Sequence, residues 1–145
     1  MSTGPGRRAS RKAAHNEVRD LLEDAYDRFA RPSFITDDPI QVPRSFPSRA
    51  DAETIGFLAA TIAWGQRRTI ITNAWKLVTL MEGEPHGFVM HAGPSELDRL
   101  DHFVHRTFNG TDLRHFILGI RHLYHVHGGL EEAFLADGRT GDMAQ

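Results

Sequence analysis

Residues 49–64 offer almost no polar face. Ile55, Gly56, Phe57, Leu58, Ala59, Ala60, Ile62 and Ala63 occupy every side of a helical wheel, so a helix here has to be central and surrounded by other helices. Gly56, Ala59, Ala60 and Ala63 are small, which lets those neighbours approach closely. Ser48 stands where it can cap the start, with Asp51 three residues on at the capping-box position, and Gly65 is placed to end the helix. The apolar run 55–64 falls well short of the ~20 residues that a bilayer span needs, so the partners of this helix are expected within the protein.

The other long segments each carry one apolar stripe, as helices around a buried centre should. A first helix is expected from near Arg11 to Ala30, with Val18, Leu21, Leu22, Ala25 and Phe29 on a buried side and Asp20, Glu23, Asp24 and Asp27 in water. Arg31-Pro32 closes it, because the residue before proline is pushed away from helical geometry. Pro39, Pro43 and Pro47 remove backbone donors at four-residue intervals, which predicts an extended, proline-rich loop over 36–46. A helix over 66–82 buries Ile70, Ile71, Ala74, Leu77, Val78 and Met81 and stops at Gly83. Pro85 suits a first helical position and opens a short helix through Phe88 and Val89, and after the Gly93-Pro94 break a brief helix carries Leu97 and Leu100. Asn109 or Thr111 caps a last long helix whose buried face is Leu113, Phe116, Ile117, Ile120, Leu123 and Tyr124. Gly128-Gly129 ends that helix, and a final short one carries Leu130, Phe134 and Leu135. Nothing alternates with period two. The expected fold is all-α, an orthogonal multi-helix array with a proline-rich loop. Residues 1–12 read as a disordered basic tail, 13–137 as one helical domain and 138–145 as a disordered polar tail.

Composition narrows the chemistry. In 145 residues, 40% are hydrophobic, enough for a core, and the formal net charge is −2, so the chain as a whole has no bulk attraction for nucleic acid or an acidic membrane. Binding to either has to come from a local patch. With no cysteine there are no disulfides, no thiolate nucleophile and no Cys-ligated metal. The N-terminus has no apolar signal core, which points to a cytoplasmic protein.

Nine histidines invite a metal reading, yet His122, His125 and His127 are spaced across different helix faces and no His-x-x-x-His or Glu-x-x-His occurs. No metal site is assigned. Asp37-Asp38 reads as a turn before proline, and Asp51 and Glu53 sit at a helix start, where the dipole favours negative charge. No phosphate loop, nucleophile elbow or Ser/His/Asp order stands out. No catalytic residue and no cofactor is assigned, and whether the protein is an enzyme is left open. The cluster with a mechanism is Trp64-Gly65-Gln66-Arg67-Arg68. A glycine break before a helix start presents free backbone N–H groups and a positive dipole end. Gln66, Arg67 and Arg68 can hold a phosphate backbone there, with Trp64 either stacking nearby or packed in the core.

The string Asp38-Pro39, Pro43, Asp51-x-Glu53, Gly56-Phe57-x-Ala59-Ala60-x-x-Ala63-Trp64-Gly65-x-Arg67 resembles the N-terminal half of a conserved bacterial family known only as domain of unknown function 2400. Arg106-Thr107-Phe108 before Asp112-Leu113, and Gly128-Gly129-Leu130-Glu131-Glu132-x-Phe134, extend the likeness. Relatives carry Pro-His-x-Tyr where this chain has Pro43-Arg44-Ser45-Phe46. The resemblance marks Asp38, Pro39, Asp51, Glu53, Gly56 and Gly65 as family-motif positions. Members of that family are longer, and the family is distantly similar to the helix-hairpin-helix DNA glycosylases, whose first buried helix and Gln-containing turn resemble Ala59 through Arg68. The resemblance implies a nucleic-acid-facing helical scaffold that is incomplete at its C-terminus, with DNA, its own missing half or another protein as partner. The hairpin and the catalytic lysine or aspartate of that superfamily match nothing here. A non-enzymatic helical interaction or structural module is the other reading of the same residues.

Overall fold

The computed structural model describes the backbone of residues 6–140 and the side chains of residues 14–136; residues 1–5 and 141–145, the outer parts of the two expected tails, lie outside the described residues. The described chain is all-α, with nine helices and one two-stranded ribbon. It divides into two compact units at the Thr36/Asp37 boundary, inside the span read from sequence as one domain.

The first unit holds α1 (Gly6–Phe29) and α2 (Pro32–Ile35). Helix α1 begins at Gly6, five residues before the expected start, so Arg7, Arg8, Arg11 and Lys12 lie on helical backbone. Its end is tied by the Arg31 guanidinium, which donates to the Asp27 carbonyl at 2.7 Å, and by the edge-on pair Phe29–Phe34. The expected burial of its apolar stripe is corrected: Val18, Leu21, Leu22 and Phe29 are exposed, as is Tyr26. The four-residue α2 is too small to cover five large side chains, so this unit has no second layer to bury them against.

The second unit contains α3 (Gln41–Arg44), α4 (Arg49–Thr61), α5 (Arg67–Leu80), α6 (Pro85–His91), α7 (Pro94–Asp98), a 3₁₀ turn (Arg99–His102), the ribbon β1 (Val104–His105) with β2 (Phe108–Asn109), α8 (Gly110–His127) and α9 (Leu130–Thr140). The proline-rich loop is less extended than expected. Asp38 accepts the Ile40 N–H at 2.9 Å and starts a turn that leads straight into α3, where Val42 is fully buried. Pro43 is compatible with α3 because first-turn N–H groups have no intrahelical partner to lose.

Helix α4 touches α3, α5, α6 and α9, the central place its composition demanded. It is shorter than the sequence implied. It ends at Thr61, Ile62 caps it, and Trp64 sits on the surface at 40% exposure. Thr54, Ile55, Leu58 and Ala59 are buried, whereas Phe57 is half-buried and Ala60 exposed, so the helix is enclosed on three sides and open along one. Around it Ala74, Leu77, Val78, Met81, Phe88, Val89, Leu97, Leu100, Phe103, Leu113, Ile117, Ile120 and Leu130 complete the core. Of the two alternatives, Asn109 is the cap of α8: its side chain accepts the Asp112 N–H and Asp112 accepts the Asn109 N–H in return. Gly110 is required, since a Cβ there would collide with the backbone of Leu100 and Asp101. Gly128, at φ +86°, ends the helix in the left-handed conformation that glycine adopts without strain.

Candidate nucleic-acid interface

Asp51 and Glu53 stand two residues apart in the first half of α4, and each carboxylate reaches a different helix. Asp51 accepts the His86 N–H at 2.9 Å, at the start of α6. Glu53 accepts the Leu130 N–H at 3.4 Å, at the start of α9. Helix starts carry unsatisfied donors and partial positive charge, so both are tertiary caps. Arg121 of α8 completes the arrangement at the other end of α6, where its guanidinium donates to the carbonyls of Val89 (2.5 Å) and Ala92 (2.8 Å). One helix is thus held by a carboxylate at its positive end and a guanidinium at its negative end.

Glu53 also accepts from the Tyr124 hydroxyl at 3.1 Å, and that hydroxyl lies 3.5 Å from Thr54 Oγ1 and 3.3 Å from the Ala50 carbonyl. Burial pushes the Tyr124 phenol above its ordinary value; the Thr54 hydrogen bond opposes the rise and Glu53 beside it adds to it. Arg49 bridges Glu53 to Glu131 and lies 3.7 Å from Glu132, joining α4 to α9. All the chemistry-bearing side chains of this junction are engaged in holding helices together. No buried side-chain nitrogen or oxygen among the described residues lacks a partner.

The other motif positions have local structural roles. Asp38 and Pro39 form the turn into α3. Gly56 faces Pro43, where a Cβ would meet the ring at an ordinary 3.5 Å. Gly65, at φ +113°, is under tighter demand: a Cβ there would stand 2.6 Å from Arg106 Nε.

Gln66, Arg67 and Arg68 come together at the start of α5. Gln66 is the N-cap residue with no side-chain cap bond, the first turn has no acidic residue, and residues 63–69 are all exposed. Trp64 is placed beside them by a buried histidine of the ribbon. His105, 2% exposed, lies 3.1 Å through Nε2 from the Trp64 carbonyl and 2.8 Å through Nδ1 from Asn73 Nδ2. An amide nitrogen donates and a carbonyl accepts, so these two partners suit the tautomer with its proton on Nε2. The Arg106 guanidinium lies 5.5 Å from the centre of the Trp64 ring. Neither His105 nor Arg106 has a local sequence signal for this role, because their partners lie 41 residues or so upstream.

His122, His125 and His127 line the exposed end of α8. Among the described residues no three His, Asp or Glu side chains come close enough to share a metal ion. No described helix is long and apolar enough to cross a membrane.

No curated protein and no solved structure matches the chain. A family model does match, over residues 38–145, beginning one residue after the second compact unit begins. The chain therefore belongs to the family described as protein of unknown function (DUF2400).

Proposed function

We propose that the second unit is the helical, phosphate-contacting scaffold of a DNA-glycosylase-like protein, bacterial and cytoplasmic, with Gln66, Arg67 and Arg68 as the contact residues. The observation that carries this reading is the exposed start of α5, where two arginines and an uncapped helix N-terminus face solvent with no carboxylate in the first turn. Backbone N–H groups and guanidinium groups together suit a phosphodiester. The likeness of Ala59 through Arg68 to the glycosylase turn supports the same surface. The residues of the scaffold position nucleic acid. Base excision would need a nucleophile and a hairpin from outside these residues.

The test is the affinity of the full chain for a labelled DNA oligonucleotide as a function of salt. Replacing Arg67 and Arg68 with alanine should weaken binding and lower the slope of log affinity against log salt by about 2, one counterion per lost phosphate contact. Unchanged affinity and slope would remove the assignment.

A second reading, a non-enzymatic interaction module, has its own observation. Phe57, Leu130, Phe134 and Leu135 line a groove of about 410 Å³ between α4 and α9, and Phe134 and Leu135 are exposed. Binding of a protein partner that survives the double arginine change would favour it.

A further inference from the structure

An exposed tryptophan is usually left loose, but Trp64 is held. Its carbonyl is 3.1 Å from His105 Nε2, and His105 is buried and fixed on its other side by Asn73. The imidazole meets the indole edge-on at 5.7 Å between centroids, and the Arg106 guanidinium lies 5.5 Å from the indole centre. Arg106 reaches that position from a left-handed backbone (φ +55°), and only because residue 65 has no Cβ to block its Nε. The indole is nevertheless 40% exposed, on a corner that also carries Gln66, Arg67 and Arg68. Arg68 and Arg106 enter no ion pair among the described residues. A flat aromatic surface, rigid before any ligand arrives and bordered by guanidinium groups, is the arrangement that stacks a nucleobase while its phosphates are neutralised.

We propose that Trp64 and Arg106 form a stacking platform for an unpaired nucleobase, which makes single-stranded nucleic acid the preferred ligand of this corner. The proposal rests on the nucleic-acid reading of Gln66, Arg67 and Arg68 and adds two residues that reading does not use. The selectivity follows from geometry. A base inside a duplex is stacked on both faces and offers none to an indole, whereas a base in a single strand has a face free. Phosphate contacts alone do not make this distinction, because both forms carry them.

The chain has two tryptophans, so the full-length Trp75→Phe protein leaves Trp64 as the only indole reporter. Titration with a single-stranded oligothymidine should quench its emission, and a duplex of the same length should bind about tenfold more weakly with little quenching. Trp64→Leu and, separately, Arg106→Gln should lower single-strand affinity to near the duplex value and so remove most of the preference for the single strand. Arg106→Gln keeps the Trp64 backbone and its His105 contact, so it covers the case in which Trp64→Leu disturbs folding. Oligothymidine binding that needs Arg67 and Arg68 but neither quenches Trp64 nor exceeds duplex binding would overturn the platform and leave the phosphate reading standing. Absence of binding to both nucleic acids would overturn both.

Discussion

The junction around Tyr124 and the corner around Trp64 are both rich in polar side chains, and they use them in opposite ways. At the junction Asp51, Glu53 and Arg121 turn inward to the ends of other helices, and Arg49 ties α4 to α9. At the corner the polar effort goes into presenting a side chain. Buried His105, held by half-buried Asn73, keeps Trp64 fixed while it is exposed, and Gln66 and Arg68 face water beside it. A motif carboxylate is therefore no guide to chemistry by itself in this fold. What separates the two regions is whether the polar groups join helices to one another or border an exposed indole.

Changes at the junction should cost stability, and removal of the corner's surface arginines Arg67 and Arg68 should not. The largest loss is expected for Glu53→Ala, which leaves the Leu130 N–H without its acceptor, takes from the Tyr124 hydroxyl its carboxylate partner and removes the Arg49–Glu53 ion pair; about 2–3 kcal/mol should disappear from the unfolding free energy in a urea titration. Arg121→Ala uncovers two carbonyls at the end of α6 and should cost about 2 kcal/mol by the same measurement. Asp51→Ala removes one tertiary cap at the other end of α6 and should cost ~1 kcal/mol. A value near zero for all three would mean that the junction is held by apolar packing alone and would erase the contrast.

Tyr124 sharpens the comparison through pH. Because its phenol is raised in the native state, the folded protein holds that proton more tightly than the unfolded chain does. Its contribution is complete below the ordinary value of 10.0 and is lost as pH rises through the native value. Thermal melts should therefore fall more steeply above pH ~10 in the natural protein than in Tyr124→Phe. Parallel alkaline profiles would contradict the assignment. The smallest effect on folding is expected at the corner, where Arg67→Ala and Arg68→Ala together should shift stability by no more than about 0.5 kcal/mol.

Helix α4 explains how much of this was legible in the chain. Its all-round apolarity announced a central helix, and Ile55, Leu58 and Ala59 are buried as that pattern requires. The same pattern overstated the enclosure at Phe57, Ala60 and Trp64, because composition cannot tell a fully surrounded helix from one open along a side. Leu21 and Leu22 went the same way: helical spacing marks a face, but burial needs a second layer, and periodicity does not reveal whether one exists. Asp51 and Glu53 were readable as helix-start acids. Their capping of α6 and α9 was not, since the partners stand 35 and 77 residues away. Arg67 and Arg68 were legible because a glycine break, a helix start and two arginines are contiguous. Arg106 and His105 were not, because the corner is assembled from α5, the ribbon and the end of α4, and only folding makes them neighbours.

The measurement that tests the central contrast most directly follows folding and binding in one pair of proteins, the natural chain and its Arg67→Ala/Arg68→Ala variant. Thermal melts would be recorded alongside DNA affinity across a salt series. The account predicts superimposable melts, weaker binding and a salt slope reduced by about 2. Equal affinities and equal slopes with unchanged melts would contradict it, and the start of α5 would then be an ordinary solvated surface.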